Sequence, residues 1–304
     1  MDLVQKLRAG EGDFLLFGIT PPKASSGPDD LRRITEATLA RLRMVDPDGL
    51  ALYDIAAEDD RNPQQRPFPF LPTLDPADYL TEHLDAWPKP AVMYRAVGKY
   101  TEPELTAWMQ AQSTDQVATV LVGASSRKNV GSTSLRHAYE LRQQVQPNLL
   151  TGGVLIPERH TRRGDEHHRM LDKQTAGVSF FISQILYDVN AAKNVVADYC
   201  DACEESGVTP KPIVFTHSVC GSVKTLDFLA WLGVEVPPWI QRDLRRAEST
   251  LEASCDQART IAQEMVSYCR RLGVPVGLNI ESVSSRRVEI EAAVALAADF
   301  RKIL

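Results

Sequence analysis

Short apolar runs alternate with amphipathic stretches from one end of the chain to the other. Residues 14–19 are apolar enough for a strand and stop at Pro21-Pro22. Residues 29–45 then carry Leu31, Ile34, Leu39 and Leu42 at helical spacing. The same alternation predicts further strands over 50–55, 91–96, 117–122, 149–156, 178–186, 212–216 and 274–280. Between and after them it predicts helices over 101–112, 134–145, 166–176, 191–206, 223–232, 238–272 and 286–304. Thr101, with Glu104 three residues on, is a capping box that fixes where one of these helices begins.

Eight strand-like runs, most followed by a helix, argue for parallel βαβ units. Eight such units suit a single (β/α)8 TIM barrel, although alternation alone also permits an open doubly wound sheet. No linker, low-complexity tract or charge shift divides the chain, so residues 1–304 are expected to form one domain.

Charge and composition narrow the partners. Lys and Arg number 34 against 40 Asp and Glu, a net of -6, which offers no basic face for nucleic acid. Runs such as Phe14-Leu15-Leu16-Phe17 fall far short of the roughly 20 residues that span a bilayer, so no membrane partner is expected. The N-terminus lacks an apolar signal core, and five Cys without framework spacing fit a reducing cytoplasmic compartment. Cys200 and Cys203 lie inside a helical pattern and read as packing. A small molecule is the expected partner, with self-association into a homo-oligomer left open.

In a barrel the chemistry gathers where strands end. Those ends hold Gly18, Tyr53-Asp54, Tyr94, Gly123-Ala124, Glu158 with His160, Gln184, His217, and Asn279 with Glu281. Polar groups converging on one face mark a candidate site, against the plainer reading of solvated loop residues. His160, His167 and His168 lie close to Asp165 and Glu166 in sequence. The adjacent pair 167–168 points to opposite sides of a helix start, however, and no facial ligand set forms, so no metal is expected. Residues 123–131, with Ser125, Ser126, Arg127, Lys128 and Asn129, form either an anion-binding turn at a helix start or a polar loop.

Three runs carry a family resemblance: Ile156-Pro157-Glu158-Arg159-His160, Leu171-Asp172-Lys173-Gln174-Thr175-Ala176-Gly177, and Phe180-Phe181-Ile182-Ser183-Gln184-Ile185-Leu186-Tyr187-Asp188. Together they resemble methylenetetrahydrofolate reductase, with its Pro-Glu-x-His, its Lys-x-x-Ala-Gly and its strand ending in Gln. Pro21-Pro22-Lys23 after the first strand and Val234-Glu235-Val236-Pro237-Pro238-Trp239 agree with that family. The resemblance covers most of the chain and implies a (β/α)8 barrel that takes a tetrahydrofolate species. It gives Gln184 the task of hydrogen-bonding the pterin, for which an amide offers both donor and acceptor. Tyr187, in the same block, goes with the substrate. Glu158, His160 and Lys173 match positions around the family's flavin phosphates and ribose.

The departures matter as much. Gly18 stands where the family has the glutamate that helps open the methylene bridge, and Val122-Gly123-Ala124 replaces an Arg-Gly-Asp. Tyr94 falls near a flavin-contacting His, and Val223 where an aromatic stacks on the folate. Bound FAD is therefore not expected. The acidic Glu58-Asp59-Asp60-Arg61 and the Pro-rich segment after it are similar to the second loop of flavin-free relatives, which take hydride directly from NAD(P)H.

A replacement acid is then needed. Glu281 ends the last strand, which in a closed barrel adjoins the first, so it can reach the space vacated at Gly18; burial would raise its pKa as an acid requires. His217 and Tyr94 are the second choices, and Asp54, Glu58 and Asn279 are candidates to hold the substrate. The resulting expectation is reduction of 5,10-methylenetetrahydrofolate to 5-methyltetrahydrofolate with NAD(P)H. A one-carbon transferase and a non-catalytic folate binder are the alternatives.

Overall fold

The computed structural model describes residues 1–55, 64–123 and 133–304. Among them, eight parallel strands close on themselves in chain order: β1 (Leu15–Ile19), β2 (Gly49–Leu52), β3 (Ala91–Ala96), β4 (Val117–Val122), β5 (Thr151–Leu155), β6 (Phe180–Ile185), β7 (Ile213–Ser218) and β8 (Val276–Glu281). The seam is the pairing of β1 with β8, which sets Leu16 beside Asn279 and Phe17 beside Ile280. An open sheet is thereby excluded.

The helices are α1 (Leu3–Ala9), α2 (Pro28–Val45), α3 (Pro76–Asp78, continued by a π-turn over Tyr79–His83), α4 (Glu102–Ala111), α5 (Leu135–Val145) and α6 (Pro157–Arg163). They continue as α7 (Glu166–Thr175), α8 (Val189–Glu205), α9 (Val223–Trp231), α10 (Pro238–Arg246), α11 (Thr250–Arg271) and α12 (Arg287–Ile303). The Thr101–Glu104 capping box starts α4 as the sequence indicates. The continuous helix expected over 238–272 is instead two. Ala247 turns to extended geometry after α10, and Ser249 restarts the helix by accepting from the Glu252 amide. No described helix is long and apolar enough to cross a membrane.

Strand alternation sorts side chains into two layers. Phe14, Leu16, Val92, Ala118, Val120, Phe180, Ile182 and Val214 fill the barrel. Leu15, Leu50, Leu52, Phe215, Leu278 and Ile280 face outward and pack with helix residues such as Leu42, Leu105 and Phe300. This double burial makes most strand positions apolar on both faces, with the polar exceptions gathered chiefly toward the ends of β7 and β8.

Helix α1, which the sequence pattern did not reveal, closes the floor. Asp2 caps it reciprocally with Gln5, and Leu3 and Leu7 join the interior cluster. Gly49 faces Leu3 so closely that a β-carbon would collide with the leucine methyl, which explains glycine at this inward position of β2. Leu3→Ala should empty part of that floor and cost about 2–5 kcal/mol, read as a lower urea midpoint with an unchanged slope.

Candidate functional site

The mouth of the barrel is built at the β1–β8 seam. Gly18 faces inward, and a β-carbon placed on it would lie 2.9 Å from Glu281 Cβ and 2.9 Å from the Tyr53 hydroxyl. A side chain at position 18 and the Tyr53–Glu281 pair therefore exclude each other. Glu281 ends β8 on the same inward face as Gly277 and Asn279, and it is the acidic group that stands beside Gly18.

Three polar side chains meet there. Asn279 Nδ2 donates to the Tyr53 hydroxyl at 2.9 Å and lies 3.3 Å from Thr216 Oγ1. The Tyr53 hydroxyl and Glu281 both crowd the same space over Gly18. Burial pushes the Glu281 carboxyl up to about 7, and the neighbouring Tyr53 hydroxyl opposes that rise by stabilising the anion. Tyr94 packs its ring 4.8 Å from that of Tyr53. Burial, then the charge of Glu281, raises both phenols, so each stays a neutral donor at ordinary pH. The Asn279 carbonyl oxygen is buried with no hydrogen-bond partner. Tyr53 stands among the strand-end residues of the sequence without an assigned role. Its signal is its place just after β2, whence its hydroxyl reaches the space over Gly18.

Gln184 lies in an irregularity of β6 between Ile182 and Ile185. The Ser183 hydroxyl fills the gap by accepting from the Thr216 amide, while Gln184 Nε2 donates to the Leu232 carbonyl at the end of α9. Above the mouth, the segment after β2 is fastened to α9. The Trp231 indole donates to the Gln64 carbonyl at 2.9 Å, Arg66 lies over the Phe228 and Trp231 rings, and Phe68 meets Phe228 edge-on. The loops after β2 and β7 are thus joined.

Several expected site residues are placed elsewhere. His217 shares the outward face of β7 with Ile213 and Phe215, and packs 4.9 Å from the Phe300 ring of α12. Both its nitrogens are unpartnered, and burial drives its pKa down to about 3, so it stays neutral behind the barrel wall and cannot be the acid at the mouth. Asp54 is also corrected. Its carboxylate takes the Ala96 amide at 2.9 Å, the Tyr100 hydroxyl at 3.0 Å and the Lys99 ammonium, which ties β2 to β3 and leaves little for a pterin. Tyr187 is buried in the outer layer near Cys220 and Ser254 rather than at the mouth. Glu58 and residues 124–132 lie outside the described residues.

Of the positions matched to a flavin cradle, Lys173 and His160 are likewise engaged and Glu158 is buried without a partner. Lys173 donates to the Val154 carbonyl at 2.6 Å, and burial lowers its pKa to about 8. His160 is buried and bonds Asp198 at 2.9 Å. Glu158 is buried with neither oxygen hydrogen-bonded, and burial raises its pKa to about 7. A cation pinned to a backbone carbonyl and a protonatable buried acid do not make an anion cradle, so these residues do not fit a flavin pyrophosphate.

The raised pKa of Glu281 has a measurable cost. The folded protein holds this proton up to about pH 7, whereas the unfolded chain releases it near 4.5, so stability falls as pH rises through that window. Glu281→Gln removes the penalty. Its melting temperature relative to the parent should climb between about pH 5 and about pH 8. A difference that stays constant with pH would contradict the placement.

Known proteins agree with this architecture. The family model described as methylenetetrahydrofolate reductase matches residues 133–281. An uncharacterized protein from Clostridium thermocellum, which binds two copies of 5-methyl-5,6,7,8-tetrahydrofolic acid, superposes with a TM-score of 0.88 at 39% identity, over 99% of each chain. A GH113 beta-1,4-mannanase superposes with a TM-score of 0.55 at 10% identity, over 96% of this chain and 99% of its own, a likeness of fold alone. No curated protein sequence matches the chain. With the family's motif block, its barrel and a near relative of full length in hand, the chain belongs to the methylenetetrahydrofolate reductase superfamily.

Proposed function

We propose that the protein reduces 5,10-methylenetetrahydrofolate to 5-methyltetrahydrofolate, taking hydride directly from NAD(P)H without bound flavin. The observation that carries this reading is the buried Glu281 carboxyl, raised to about 7 and seated over Gly18. Near neutral pH such a group is poised to give up a proton. Protonation of the folate N10 breaks its bond to the bridging carbon and leaves an iminium at N5. Hydride from NAD(P)H then adds to that carbon, giving the methyl group and NAD(P)+. The Tyr53 hydroxyl stabilises the Glu281 anion left behind, and Asn279 fixes the direction of that hydroxyl.

Gln184 and the unpartnered Asn279 carbonyl are the groups assigned to the polar edges of the pterin, with Tyr53 and Tyr94 as the aromatic wall. The Clostridium thermocellum relative supports the choice of ligand, since the methyl folate that it binds would be the product here. The flavin-free reading rests on Lys173 and His160, which are already committed to Val154 and Asp198.

The test is NAD(P)H oxidation dependent on methylenetetrahydrofolate by protein free of flavin absorbance. Glu281→Gln should lower kcat by about 10²–10⁴-fold. In the parent, activity should fall as pH rises past about 7, when Glu281 loses its proton. Tyr53→Phe removes a bond to the anion, so that limb should move to higher pH. Folate binding with no NAD(P)H oxidation would leave a non-catalytic binder. Transfer of the one-carbon unit to an added amine would instead establish a transferase.

A further inference from the structure

A second cluster lies among the helices that follow β5 and β6, and shares no residue with the Tyr53–Glu281 group. His160 of α6, His167 of α7 and Asp198 of α8 each offer one donor atom, and the three donors lie within 4.8 Å of one another. We propose that these residues bind a divalent transition metal of borderline hardness, of which Zn2+ is the type. The ligands hold together α6, α7 and α8 around the ends of β5 and β6.

The local fold explains how they meet. Pro157 starts α6 directly after β5, and Gly164 ends it in the left-handed region at φ 70°. That turn is open to glycine at no steric cost and lets α7 fold back, so that His167 meets the His160 ring edge-on at 5.2 Å. Asp198 comes from a different helix, which is why spacing along α6 and α7 alone offers no facial set. His160 is 7% exposed, with Nε2 held 2.9 Å from Asp198 Oδ2. Its Nδ1 and that of His167 are buried and have no hydrogen-bond partner. Asp198 is half-exposed, so an ion can enter from solvent.

Two imidazoles and one carboxylate suit a borderline cation better than Mg2+ or Ca2+, which prefer oxygen ligands. Three protein ligands leave a fourth tetrahedral position for water. The His168 ring lies 3.9 Å from that of His167, tilted by 39°, but His168 is exposed and stands outside the ligand set. None of the three ligands belongs to the Tyr53–Glu281 cluster, so the proposal does not depend on the proposed reaction.

The experiment strips the full-length protein with a chelator and titrates it with ZnCl2 or CoCl2 alone. One equivalent should bind, Co2+ should give visible d–d absorption, and Zn2+ should raise the melting temperature. Asp198→Asn and His167→Gln change partly exposed side chains, and each should weaken binding by at least about tenfold with an unaltered far-UV spectrum. His168→Gln should leave binding unchanged. Failure of the parent to bind a stoichiometric ion would overturn the proposal. So would binding that survives both ligand substitutions, because the ion would then sit elsewhere.

Discussion

A carboxyl group inside a barrel wall must be held against the cost of desolvating its charge, and here closure of the sheet does the holding. Only because β8 lies against β1 does Glu281 stand over Gly18, within reach of Tyr53 from β2. The absence of a side chain on β1 makes the space, the tyrosine hydroxyl stands in it beside the carboxyl, and Asn279 donates to that hydroxyl. Each of the three comes from a different turn of the sequence. None of them would have this environment in an open sheet.

The barrel was legible because eight apolar runs separated by amphipathic stretches leave few ways to bury every strand on both faces. Glu281 was legible for a related reason: once closure is assumed, the end of the last strand must neighbour the beginning of the first. His217 was misplaced because Val214 and Phe215 are equally apolar, so the sequence holds no sign of which strand face looks inward. Helix α1 was invisible because seven residues carry little periodicity, and its apolar side chains fill a floor that only the closed barrel creates. The break between α10 and α11 turned on Ser249, a capping residue inside an otherwise unbroken helical pattern.

The motif block raises a different point. Residues that resemble a family's ligand contacts can keep their identity while their atoms serve the scaffold. Lys173 holds a carbonyl of β5, Asp54 holds the turn after β3, and His160 turns to another helix. Tyr53, which belongs to no quoted motif, is instead the side chain that Asn279 and Tyr94 meet at the mouth. Resemblance in sequence therefore located the family better than it located the atoms that each matched residue engages.

The seam between β1 and β8 also ties the mouth to both ends of the sequence. Leu16 and Asn279 pair across almost its whole length. Tyr53 and Tyr94 follow from early strands and Glu281 ends the last, so the polar cluster spans the line along which the barrel closes. A change that loosens that seam would therefore reach the cluster without touching any of its residues.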